Sequence, residues 1–117
     1  MTDDVLARVL QCYADGIVPE SADERSAVKA TLAQLTQRAP GRSVEVRVPP
    51  YAAIQVVAGS VHRRGTPSAV VEASARTWLE LAVGIRTFAE AIHDGSVRAS
   101  GERSDLSGYL PLTAPPN

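Results

Sequence analysis

Cysteine is nearly absent from this chain. Cys12 stands alone, so no internal disulfide can form, and an intracellular, cytoplasmic location is the default expectation. Its place with Val5 and Val9 reads as a buried, inert thiol. Lysine occurs once, at Lys29, and 12 basic against 13 acidic side chains leave a net charge of −1. That balance offers no basic footprint for a nucleic-acid backbone. No apolar run approaches the roughly 18 residues of a membrane span, and the acidic start "MTDDVLARVL" lacks a signal pattern. The compact motifs G-x-S-x-G, G-x-x-x-x-G-K-[ST] and G-x-G-x-x-G are missing. His62, His93 and Cys12 fall in three separate segments, so neither a metal site nor any other cofactor is expected. His93–Asp94 looks like half of a catalytic pair, but neighbours on a helix point about 100° apart, and His93 reads better as a cation favoured by the carbonyls of a helix end. The expectation is a protein that is not an enzyme.

What is present is periodicity. At 117 residues the chain reads as one domain, residues 1–117, able to bury roughly two-thirds of its unfolded surface. Val5, Leu6, Val9, Leu10 and Tyr13 mark a helix over 3–14, opened by Asp3 and Asp4. Gly16 and Pro19 break it. "SADE" starts a second helix, with Ser21 and Glu24 at capping-box spacing and a narrow stripe of Val28, Leu32 and Leu35, ending at "APG", residues 39–41. Then the period changes to two. "SVEVRV" alternates as a strand with one wet face, and Pro49 and Pro50 stop it. "YAAIQVVA" is apolar on both faces apart from Gln55 and reads as a more central strand. "AVVEA" and "SVRASG" are two further strands. Between them lie two helices: Ala75, Trp78, Leu79, Ala82 and Val83 form one apolar face, and Ile85, Phe88, Ala89 and Ile92 a second after Gly84. Gly95 suits a left-handed helix end. "RSDLSGYLPL" closes the fold through Leu106, Tyr109 and Leu110, with Ser104 to Leu112 expected to dock. The tail, residues 113–117, is expected to fray. Strands and helices in groups argue α+β, a mainly antiparallel sheet covered on one face.

The stretch "VVEASARTWLELAVGIRTFAEAIHDGSVRASGERSDLSGYLPL", with "EVRVPPYAAIQ" and "HRRGTPSAVVE" before it, resembles the sterol carrier protein 2-like superfamily, in a small bacterial branch. The likeness covers about residues 21–112. It implies a five-stranded sheet with helices on one face, and often an apolar cavity for fatty acyl chains or sterols. The fifth strand would lie between Ala58 and Arg64. The helix over 3–14 is extra to the usual pattern, and would cap the sheet or cover the cavity.

Two functions follow as expectations. The first is non-catalytic carriage of an apolar small molecule, a fatty acyl or sterol-like lipid, between sheet and helices. Candidate lipid contacts are Ile54, Val56, Trp78, Leu81, Phe88, Ile92, Leu106, Tyr109 and Leu110. Arg63 and Arg64, in the only basic cluster "HRR", are candidates for a head-group contact. The second is an interaction or oligomerisation module with a filled core, a homodimer for example, related to accessory domains of larger enzymes.

Overall fold

The computed structural model describes residues 2–59, 61, 64–101 and 103–113, with the side chains of Thr2 and Asp3 left aside. In chain order the elements are α1 (Thr2–Ala14), α2 (Ser21–Arg38), β1 (Val44–Val48), β2 (Ala52–Val56), β3 (Ala69–Ala73), α3 (Ala75–Val83), α4 (Phe88–His93) and β4 (Val97–Gly101). A 3-10 turn, Ser107–Tyr109, follows. The fold is α+β, as expected, but the sheet differs. Among the described residues it has four strands in the order β2-β1-β3-β4, and it is mixed rather than mainly antiparallel. Three successive strands alternate in direction, so laying β3 beside β1 makes that pair parallel. In the region expected to hold a fifth strand, Val61 forms only an isolated bridge with Pro67, and residues 60, 62 and 63 lie outside the described residues.

Alternation along each strand separates two faces. Val44, Val46 and Val48 of β1 pair in register with Val56, Ile54 and Ala52 of β2. Ala69 and Val71 of β3, and Val97 of β4, join the same inner face. The outer face carries a row of Ala53, Arg47, Glu72 and Arg98 across the four strands, in which Arg98 pairs with Glu72 at 3.6 Å. Arg47 also reaches Glu45 at 2.8 Å. One face is therefore polar, and the helices cover the other. The strand read as central, β2, is an edge strand, and the half-charged β1 lies inside.

The helix layer is packed over the middle of the sheet. Leu32, Leu35, Trp78 and Leu79 are all at most 2% exposed, against equally buried Val44, Val46 and Val48. Such interdigitation fills space at close-packed density. The Trp78 indole donates to Thr31 Oγ1 at 2.8 Å, and that hydroxyl donates to the Ala27 carbonyl at 2.8 Å. The N-terminal helix packs on α2 and α3 through Leu6, Val9 and Tyr13. Cys12 is half-buried there. Glu24 does not close a capping box: the N-cap is Glu20, without a side-chain bond. The Glu24 carboxylate instead accepts hydrogen bonds from the Tyr13 hydroxyl and, at 2.7 Å, the Tyr51 hydroxyl. Arg76 lies 5.3 Å above the Tyr13 ring.

The segment after β4 docks as expected, around the short 3-10 turn Ser107–Tyr109. Leu106 is fully buried. The Leu112 N–H donates to the Ala82 carbonyl at 2.8 Å. Arg38 donates to the carbonyls of Tyr109, Pro111 and Leu112 at 3.0, 2.8 and 3.1 Å. Leu110 is only half-buried. Beyond Thr113 the expected frayed tail lies outside the described residues.

Candidate binding grooves at the two sheet edges

The helices cover the centre of the inner face and leave both edges partly open. At one edge the cover is α4, whose position is set by three local devices. Gly84, at φ 81, ends α3 in the left-handed region that glycine tolerates best. The Thr87 hydroxyl accepts from the Glu90 N–H while Glu90 accepts from the Thr87 N–H, a reciprocal cap that starts a helix of only six residues. Arg86 and Asp94 pair across its two ends. These bonds hold the Glu90 carboxyl below the usual carboxylate range, chiefly through the Thr87 N–H. Asp94 is lowered too, chiefly by Ser96 and further by Arg86.

This cap sits where the sequence suggested the helix was already running. The periodicity from Ile85 misplaced the start by three residues. Ile85 is 53% exposed and Ile92 41% exposed, while Phe88 and Ala91 point inward. Beside Phe88 and Ile92 lies an open groove of about 500 Å³. Phe88, Ala89, Ile92 and Ala99 give it apolar walls, and His93, Ser104, Asp105 and Ser107 line it with polar groups. Asp105 accepts from the Ser107 N–H at 2.9 Å, which holds its carboxyl below the usual range and keeps it charged at neutral pH. A smaller groove of about 300 Å³ shares Phe88, Ala89 and Ser107 and adds Leu81, Leu110 and Pro111.

At the opposite edge, β2 and α2 enclose a third groove of about 510 Å³, lined by Lys29, Leu32, Ala33, Thr36, Gln37, Ala52 and Ile54.

The residues singled out in the sequence divide accordingly. Leu81, Phe88, Ile92 and Leu110 lie in the two grooves that share Phe88, Ala89 and Ser107. Ile54 lies across the sheet in the third. Val56, Trp78 and Leu106 are core residues at most 2% exposed. Tyr109 is half-buried in the docked segment. Arg64 is exposed, and Arg63 and His62 lie outside the described residues. As groove residues, sequence reasoning missed Ala89, His93, Ala99, Ser104, Asp105 and Ser107. Ala99 had an available signal: its alternation with Arg98 and Ser100 aims it at the inner face of a strand whose small side chain covers little. Among the described residues no group of three or more His, Cys, Asp or Glu could hold a metal, and no helix is long and apolar enough to cross a membrane.

A family described as bacterial SCP ortholog matches residues 20–112, from the residue before α2 to the end of the docked segment, leaving α1 outside. No curated protein matches the chain significantly.

Proposed function

The chain belongs to the bacterial sterol carrier protein ortholog family, and from that premise we propose that it carries an apolar ligand, without catalysing a reaction, in the groove between α4 and β4. One observation carries this reading: Phe88, Ala89, Ile92 and Ala99 turn an apolar surface toward an open groove, with Ile92 left 41% exposed. Burying such surface under an acyl chain gains about 25 cal/mol per Å². The polar lining narrows the head group. Ionised Asp105 repels a free carboxylate, whereas Ser104, Ser107 and the His93 imidazole can bond a neutral ester, alcohol or amide. The ligand class is therefore a fatty acyl or sterol-like lipid with an uncharged head. Lipid extracted from gently purified protein, and titration with a fluorescent fatty alcohol beside the matching fatty acid, test this. Binding of the alcohol below about 10 μM, tighter than the acid, is expected. The reading fails if neither probe binds and no lipid copurifies.

The packed sheet–helix centre favours a second reading, an interaction module with a filled core. It predicts association without a lipid ligand.

A further inference from the structure

The most apolar strand of the sheet stands where proteins usually place protection. An edge strand exposes unpaired backbone groups, and charges, proline or bulges normally guard it. β4 has such guards: Arg98 points out, and the strand ends at Gly101 with φ 89. The β2 sequence, Ala-Ala-Ile-Gln-Val, contains no charge at all. Its breaks lie outside it, at Pro49–Pro50 before and at Val57, φ 67, after. Among the described residues no strand pairs with the outer edge of these five, and both ends of the register are fixed.

The helix beside this strand has the same character. Between Arg25 and Arg38 the only charge in α2 is Lys29. Ala27, Val28, Thr31, Leu32 and Leu35 face the core, yet Ala33, Thr36 and Gln37 are exposed and line the groove with Ile54. A solvent-facing helix surface normally carries charge.

We propose that the free edge of β2 and the adjoining face of α2 form a homodimer interface, closed by a second copy of this chain about a two-fold axis at Ile54. The surface is complementary to itself. Antiparallel self-pairing puts Ile54 opposite Ile54, Ala53 opposite Gln55 and Ala52 opposite Val56, with no charge meeting a charge. An axis perpendicular to the sheet keeps both helix layers on one side, so the two α2 helices run antiparallel over the joined strands. With Ala33 at the middle, Lys29 faces the partner's Gln37, an ammonium against an amide oxygen, twice. Short side chains at 33 and 36 let the helices approach. The contact uses each β2 edge once and leaves only the guarded β4 edges outside, so it closes as a dimer instead of extending into a fibre.

Sedimentation velocity on the full chain over a dilution series tests the interface. The expected result is a monomer–dimer equilibrium for the wild type. Ala33→Glu, at an exposed position, should weaken it at least tenfold, while circular dichroism and the Tm read at a dilution where both proteins are monomeric stay unchanged. Ile54→Lys should do the same, and if it lowers Tm, the Ala33 variants decide alone. Mixing Ala33→Glu with Ala33→Lys should restore association beyond either variant by itself. A wild type that stays monomeric at roughly 100 μM, a dimer that Ala33→Glu leaves intact, or a mixture that does not recover overturns the proposal. Lipid-probe binding at the α4–β4 groove should be equal in wild type and Ala33→Glu, so the two proposals fail separately.

Discussion

Thr31 works as both donor and acceptor at the centre of the helix layer, fully buried between the Ala27 carbonyl and the Trp78 indole. Replacing it with valine keeps the shape and strands the Trp78 N–H without an acceptor. Thr31→Val should therefore cost about 1–3 kcal/mol in urea denaturation, with an unchanged slope. A loss within error of zero would mean that the indole finds another acceptor. Phe88 is buried to 6% exposure yet borders two grooves, so part of its ring faces open space instead of packed side chains. Phe88→Ala should lower stability by about 2 kcal/mol, short of the 3–5 typical of a closed core. A loss in the full range would show that the ring is sealed, not groove-lining.

At the scale of elements, α4 depends most on its ends. Six residues make too few internal hydrogen bonds to hold a helix alone. Thr87→Ala removes the reciprocal cap and should cost about 1 kcal/mol, with a matching loss of probe affinity because α4 forms one wall of the groove. Unchanged denaturation and affinity would show that Phe88 and Ala91 position the helix unaided. The same element shows where sequence reading succeeds and where it stops. Periodicity placed α1, α2, α3 and the four strands, because one buried face leaves a repeating trace. It put Ile85 on a buried face because apolar spacing continues through Gly84, while the deciding signal was the Thr87–Glu90 spacing. That same spacing at Ser21–Glu24 was misleading, since two tyrosine hydroxyls distant in sequence claim Glu24. Strand order was not legible either: β2 looks central by composition, and pairing depends on which edge the Val57–Ser68 connection crosses. The groove was half legible, Phe88 and Ile92 from helix spacing, while most of the polar lining was not, because Ser104 and Asp105 lie on irregular backbone and Ser107 opens a single 3-10 turn.

For the whole molecule, the Tyr13–Glu24–Tyr51 cluster ties α1, α2 and the β1–β2 turn together and ties stability to pH. Tyr13 is pushed above its ordinary value mainly by burial and then by Glu24, and Tyr51 mainly by its hydrogen bond to Glu24. In the unfolded chain both would ionise near 10.0, while in the folded protein they keep their protons. Their contribution is therefore complete below about pH 10 and declines as the pH rises further. Urea midpoints across that range should fall, and the Tyr13→Phe/Tyr51→Phe protein should show a shallower fall. Equal slopes would remove the cluster from the account.

The central claim is that the edge between α4 and β4 takes an apolar ligand. Ala99 tests it most directly, because its side chain is exposed and lines the groove. Titration of wild type and Ala99→Trp with a fluorescent fatty alcohol should show binding by the first. The second, its groove filled by an indole, should bind at least tenfold more weakly at unchanged Tm. Equal binding by the two proteins would contradict the account.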